Sequence, residues 1–235
     1  AYRPGRRPVL CVHLPDDYWH QAAPVPEGEW LQLLDVHLVS ERRLAVKAAL
    51  ALVGTRHTAV LGDPRQWAGL DLPGVVNPAS LVTRLDYDRA IKTPWEVDNI
   101  RRANVLGIVA HEAVAEGFAQ GLSEFELGLL FLAACGQTDA ELPYPAIIAA
   151  NENGATLHYQ HRRRERLTGR NRRSLLVDAG CSFAGYASDI TRTHAARPGE
   201  FATMIEDLER AQQRLCRCIA PGVPFAELQL AAHPE

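Results

Sequence analysis

The sequence predicts two domains: an α/β domain over residues 1–90, and a second over residues 91–235 in which helices give way to short strands and turns. Three observations predict it. Strand-length apolar runs at 8–14 (PVLCVHL) and 58–62 (TAVLG) flank a helix-length, Ala- and Leu-rich stretch at 41–53. A strong helix start at Thr93-Pro94-Trp95-Glu96 then opens a long helix. From Ala146 onward the pattern changes to short apolar or β-branched runs bounded by Gly and Asn.

In chain order, Asn77-Pro78-Ala79-Ser80 opens a helical stretch through Ala90, and the domain boundary follows it. Thr93 caps the next helix, Pro94 suits its first position and Glu96 completes a capping box. That helix runs from Pro94 to Ala119, with Val97, Ile100, Gly107, Val114 and Phe118 largely on one stripe. Ser123 and Glu126 form a second capping box for a helix reaching about Ala134. AIIAA (146–150) and TLHYQ (156–160) read as strands flanking an Asn-Gly turn at 153–154. Seven arginines between His161 and Arg173 read as a solvated hairpin loop, since aromatic residues are sparse nearby. Leu175–Val177 and Ile190, Thr191 and Thr193 form two arms of a hairpin with Gly185 at its turn. A last long helix spans Glu200 to Ile219 and breaks at Pro221-Gly222.

Composition narrows the function classes. With 235 residues, 47% of them hydrophobic, two modest cores can be filled. A net charge of −3 and a pI near 6.3 supply no overall basic field for nucleic acid or an anionic membrane surface. No apolar run approaches the ~20 residues of a spanning helix and no signal-peptide pattern opens the chain, so a cytoplasmic protein is expected. Cys11, Cys135, Cys181, Cys216 and Cys218 are odd in number and lack zinc-type spacing, so reduced thiols are expected. The chain starts at Ala1 and stops at His-Pro-Glu just after a possible helix begins, so the second domain is expected to be incomplete.

The chemistry concentrates on Asp178 and Asp189, eleven residues apart. A reversal near Phe183 and Ala184 would place them opposite one another, with Cβ atoms roughly 5 Å apart on one face. Carboxylates that close repel unless a cation lies between them, and two-metal hydrolases hold their ions roughly 3.5–4 Å apart. Asp-Ala-Gly is also a common way to end a strand, and an exposed Asp needs no function. His158 and Tyr144 are equally open on their own: one a histidine satisfying a local hydrogen bond, the other a turn aromatic between Pro143 and Pro145.

The run Asp178, Gly180, Gly185, Tyr186, Asp189, Thr191, Arg192, Thr193 resembles the metal-binding hairpin of the pita-bread metallopeptidases, which include methionine aminopeptidase, aminopeptidase P, prolidase and creatinase. LPDDYWHQ, KTPWEVDNIRRAN, GLSEFEL and ELPYPAIIAANENGATLHY resemble, in order and spacing, the bacterial Xaa-Pro dipeptidases and related organophosphorus acid anhydrolases, from near Val9 to near Val223. The resemblance implies an α/β amino-terminal domain and an α+β pita-bread domain of the creatinase/aminopeptidase type. The part carrying a histidine ligand, two glutamate ligands and a second, non-ligand histidine would lie beyond this chain. It implies hydrolysis of Xaa-Pro dipeptides, with an organophosphate side activity. Two divalent ions are implied, with oxygen-rich ligation favouring manganese. Asp178 and Asp189 become metal ligands, His158 a catalytic donor facing the substrate, and Tyr144 a wall of the substrate pocket. Gly180 and Gly185 would permit a turn or close backbone approach, and Thr191, Arg192 and Thr193, which on their own read as strand residues with Arg192 paired to a carboxylate, would support the ligands. Tyr18, Trp19 and His20 read on their own as either core or dimer contacts; the resemblance also implies a homodimer in which this loop can approach the neighbouring subunit's site. Another pita-bread peptidase such as aminopeptidase P, or a noncatalytic pita-bread binding protein, is the alternative.

Overall fold

The computed structural model describes residues 1–15, 18–19, 24–54 and 56–233, which fall into two compact units, Ala1–Ile91 and Lys92–Glu235. His20, expected to approach a neighbouring site, lies outside the described residues.

In the first unit β1 (Val9–His13) and β2 (Asp35–Val39) pair in parallel, Val9 opposite Asp35 through His13 opposite Val39. Helix α1 (Arg42–Val53) packs against both, and the Cys11 thiol donates to the Ala45 carbonyl at 3.5 Å. A second parallel pair joins β3 (Ala59–Val60) to β4 (Val75–Val76). The strand expected over 58–62 is shorter because Gly62 leaves the extended region at φ 128, where the Asn77 side chain clasps its N–H and C=O at 2.9 and 2.8 Å. Helix α2 (Ala79–Ala90) completes the α/β alternation.

The second unit begins with α3 (Pro94–Ala119), whose capping box is formed. Thr93 Oγ1 accepts from the Glu96 N–H at 3.3 Å, and a Glu96 carboxylate oxygen accepts from the Thr93 N–H at 2.6 Å. Helix α4 (Glu124–Cys135) repeats the device with Ser123 and Glu126 and stops at Gly136, whose φ of 66 suits the left-handed cap. Ala110, Val114 and Phe118 of α3 pack with Leu127 and Phe131 of α4, and a Cβ on Gly117 would meet Leu130 and Leu127 at 2.8 and 2.9 Å.

Against the two helices lies an antiparallel sheet whose central strand is β6 (Ser174–Asp178), flanked by β5 (Ile147–Ala150) and β9 (Thr191–Ala195), with the short β7 (Ser182–Phe183) and β8 (Tyr186–Ala187) between β6 and β9. Period-two alternation decides the faces. Ile148, Leu175 and Val177 join the helical core, while Ile147 and Ala149 pack with Tyr159 and Leu176 on the other side. Burying Leu175 or Val177 completely contributes about 1.5–3 kcal/mol each. Helices α5 (Glu200–Cys218) and α6 (Phe225–Ala232) follow.

Two segments differ from expectation. TLHYQ is not a strand: a 3₁₀ turn over Asn151–Ala155 runs into a second turn, and His158 takes φ 55. The strand propensity is overridden because Tyr159 and the Arg163 N–H bond to the buried Glu124 carboxylate. The arginine-rich segment is exposed at most of its guanidinium groups yet tied to α4. Leu167 is buried, Arg164 stacks over the Phe125 ring at 3.7 Å, and Arg166 pairs with Glu126, which with the Ser123 N–H holds that carboxyl down to about 2.

Candidate functional site

The site grows from the register of one hairpin. Asp178 pairs with Ile147 on one side and Thr191 on the other. Beyond it the Ala179 N–H donates to the Ile190 carbonyl at 3.1 Å, the Ser188 N–H to the Cys181 carbonyl at 2.9 Å, and Ser182 pairs with Ala187. One register therefore runs the length of the hairpin and sets Asp189 opposite Gly180. Asp178 and Asp189 share a face as diagonal neighbours, roughly 7–8 Å apart at Cα, not directly opposed. The difference lies in the turn. Its central residues are Ala184 and Gly185, at φ 49 and 82, as a two-residue hairpin of positive φ demands, and this moves the reversal one residue along the chain.

Gly180 is required where it stands: a Cβ there would collide with the Ser188 carbonyl oxygen and meet the Tyr144 ring at 3.1 Å. Ser188 is buried, and its hydroxyl accepts from the Cys181 N–H at 2.9 Å. From the helix side Gly107 of α3 presses on the same hairpin, where a Cβ would meet Ile190 Cδ1 at 2.8 Å and Ser188 Oγ at 2.9 Å. Tyr186 Oη donates to Glu96 at 2.8 Å and further ties the hairpin to the start of α3.

Over the two aspartates sits Tyr144. Its hydroxyl donates to Asp189 Oδ1 at 3.1 Å and contacts the Asp178 carboxylate. Burial first, and then the charges and hydrogen bonds of Asp178 and Asp189, push the phenol far above its ordinary value, so it remains a donor. Asp178 Oδ1 is buried and, among the described residues, meets no hydrogen-bond donor. A buried, unmatched carboxylate oxygen is costly unless something positive satisfies it, and here a second carboxylate shares the same face. The donor set is hard oxygen, the chemistry of a divalent cation site. The residues fit such ions in kind, though among the described residues no group of three or more His, Cys, Asp or Glu gathers to hold one.

Tyr144, Asp178 and Asp189 are thus brought together, and His158 shares no hydrogen bond with them among the described residues. It is exposed beside Leu157, itself 90% exposed, in a left-handed conformation that costs about 1–3 kcal/mol in a residue with a Cβ. Thr191 stands opposite Asp178, and Arg192 donates to the Thr191 carbonyl at 2.8 Å instead of to a carboxylate.

Two residues escape the sequence reading. His111 on α3 is 6% exposed and donates from Nε2 to the Ala179 carbonyl at 2.9 Å, immediately after Asp178. Its signal was a polar residue four positions after Gly107 on the apolar stripe. Glu124, 1% exposed, stood unmarked between the two members of a capping box. Among the described residues His111 Nδ1 and His194 Nε2 are buried without a hydrogen-bond partner, and burial lowers both imidazoles, helped at His194 by His111 and at both by Arg192.

Comparison with known proteins bears on these features. A family model described as Metallopeptidase family M24 matches residues 98–234, and one described as Xaa-Pro dipeptidase, N-terminal domain, matches residues 1–87. A protein of Stenotrophomonas maltophilia (strain R551-3) named Xaa-Pro dipeptidase is 40% identical over 234 residues, 99% of this chain and 52% of the relative. Among solved structures, proline aminopeptidase P II from Yersinia pestis superposes with a TM-score of 0.70 at 22% identity, covering 95% of this chain and 56% of that one. A zinc-substituted Escherichia coli aminopeptidase P in complex with product matches with a TM-score of 0.54 at 26% identity, covering 72% and 38%. The chain spans about half the length of the curated relatives it matches. The fold is the expected pair: an amino-terminal α/β domain and the pita-bread domain of that group.

Proposed function

We propose, from the premise that this chain belongs to metallopeptidase family M24, that it supplies half of a metal-dependent dipeptidase acting on dipeptides with carboxyl-terminal proline. The observation that carries the metal reading is the Tyr144–Asp178–Asp189 trio with its buried, unmatched Asp178 oxygen. The peptidase reading is supported by the Xaa-Pro dipeptidases that are 40% identical over 99% of the chain.

In this reading Asp178 and Asp189 hold two divalent ions, for which oxygen-rich ligation favours manganese. Such ions, when bound, lower the pKa of a water molecule and polarise a scissile carbonyl. The chain's own residues orient and exclude. Tyr144 keeps its proton, steadies both carboxylates and presents a rigid ring as one wall of the pocket. His158 donates a hydrogen bond to the peptide or to the charge that develops on it, a contribution that grows toward the transition state. An Xaa-Pro bond is a tertiary amide without an N–H, so a site that recognises it works without a donor from that nitrogen. Nothing in the trio or in the comparisons favours a phosphoester over a peptide, so organophosphate hydrolysis is not offered as a second reading. The noncatalytic alternative is disfavoured by the presence of both aspartates.

The same reading places the protein in the cytoplasm, which is supported by five free cysteines and by the absence, among the described residues, of a helix long and apolar enough to cross a membrane. It includes a homodimer, supported by the exposure of Tyr18 and Trp19 at 92% and 83%.

The test is metal analysis together with turnover of Gly-Pro by the full-length protein and its Asp178→Asn variant. The variant is expected to lose at least one ion and most activity. Two tightly held ions with normal turnover would sink the assignment.

A further inference from the structure

Glu124 is the one acidic side chain among the described residues that is essentially removed from solvent, at 1% exposure, and no step proposed so far uses it. Four donors converge on its two oxygens. Oε1 accepts from the Ala150 N–H at 2.7 Å and from Asn153 Nδ2 at 2.7 Å. Oε2 accepts from Tyr159 Oη at 2.8 Å and from the Arg163 N–H at 2.7 Å. Asn153 Nδ2 also reaches Tyr159 Oη at 3.0 Å, and the Arg163 carbonyl accepts from the Phe125 N–H at 3.0 Å. The carboxylate lies in the first turn of α4, where the helix end favours negative charge.

The four donors belong to one segment, 150–163. It begins at the end of β5, passes through the 3₁₀ turn, carries His158 in its left-handed conformation, and returns to α4. His158 itself is exposed, while Asn153 and Tyr159, on either side of it, are buried and bound to Glu124. A side chain in a sparsely populated backbone conformation stays there only where its surroundings over-determine it. Those surroundings include the Asn151 side chain, which binds Asn171, Arg173 and Ser174, and the packing of Tyr159 on Ile147 and Ala149, but the donors that flank His158 on both sides, Asn153 and Tyr159, meet at Glu124. We propose that Glu124 is the positioning residue of His158, fixing through Asn153, Tyr159 and Arg163 the segment that aims the histidine at substrate. The proposal rests on the role given to His158 above.

The chemistry is specific to a carboxylate. All four partners are donors, and Tyr159 stays a donor because burial, reinforced by Glu124, raises its phenol to about 12. Glutamine in the same place offers one acceptor oxygen and one NH₂. With the oxygen toward Ala150 and Asn153, the NH₂ faces Tyr159, which can turn to accept, and the Arg163 N–H, which cannot. With the amide reversed, the NH₂ meets the Ala150 N–H instead. Either way one backbone donor is left unmatched in a buried place.

The experiment uses the full-length protein, Glu124→Gln, and Tyr159→Phe as a milder second variant, each alone and combined with His158→Ala. Hydrogen exchange of residues 150–163, metal content, and kcat and KM for Gly-Pro are read. We expect faster exchange confined to that segment and unchanged metal content. We expect kcat lower by about tenfold with KM near wild type for Glu124→Gln, and less than about a twofold further loss when His158 is already alanine, since residues acting through one another are not additive. Equal fold-losses in the two backgrounds would overturn the positioning role. Unchanged exchange in both Glu124→Gln and Tyr159→Phe would overturn the pin, whatever His158 does. Wild-type turnover by His158→Ala would instead overturn the histidine's own assignment, and the exchange result tells these failures apart.

Discussion

At the scale of single residues, the proposed reading separates groups that would hold charge, Asp178 and Asp189, from a group that would meet substrate, His158. His158→Ala is expected to lower kcat by about 10²–10³ while metal content stays intact, because one donor to developing charge is removed and no ligand is. Metal analysis beside steady-state kinetics checks it, and an emptied site would promote His158 to ligand. Tyr144→Phe should keep the ions as well. Its hydroxyl occupies the aspartate oxygens, so its removal leaves both carboxylates free for cations, and because the ring that walls the pocket stays, KM is expected near wild type. Titration of apoprotein with manganese would reveal a weakened site if the phenol were itself a ligand.

At the scale of elements, the hairpin of β6 to β9 is held from both sides, by Gly180 within and Gly107 across. Gly180→Ala drives a Cβ into the Ser188 carbonyl, and overpacking of that kind costs about 1–3 kcal/mol. A denaturation midpoint unchanged from wild type would show that the backbone yields freely there. The helices were legible in the sequence because their signals are local: the Thr93 and Ser123 capping boxes lie within one turn of the helices they start. The paired aspartates were legible for a similar reason, since both belong to one hairpin. Their diagonal offset was not, because it depends on which two residues take positive φ, and Ala184 carries no signal for that conformation. The TLHYQ segment misled for the opposite reason. Its β-like pattern is real, but a carboxylate 35 positions before Tyr159 claims its donors, and nothing near Tyr159 announces that.

At the scale of the whole molecule, two consequences can be measured. His111 and His194 are both lowered from the ordinary 6.5, with burial the leading cause. The unfolded chain therefore binds protons that the folded one refuses. The stabilisation is fully present above about pH 6.5 and is lost as pH falls through the lower folded values. Thermal unfolding between about pH 7 and pH 5 should show a falling midpoint, and His111→Gln, which can still donate to Ala179, should flatten that fall. The second consequence concerns metal. Among the described residues no group of three or more His, Cys, Asp or Glu gathers to join the Asp178–Asp189 pair, so residues 1–235 alone should bind manganese weakly and release no proline from Gly-Pro. Clear metal-dependent turnover by this segment would show that its own side chains suffice.

The single register that runs from Asp178 to the Ala184–Gly185 turn also limits how the gene can vary. Adding or deleting one codon in either arm exchanges the two faces for everything on that side, sending one aspartate toward the helices while the other stays. Two codons restore the alternation, so the arms can lengthen or shorten only in even steps. An odd change survives only if the extra residue is set aside as a bulge. The hairpin therefore behaves as a frame with a period of two residues, and its descendants are expected to differ in length at the tip sooner than along the arms.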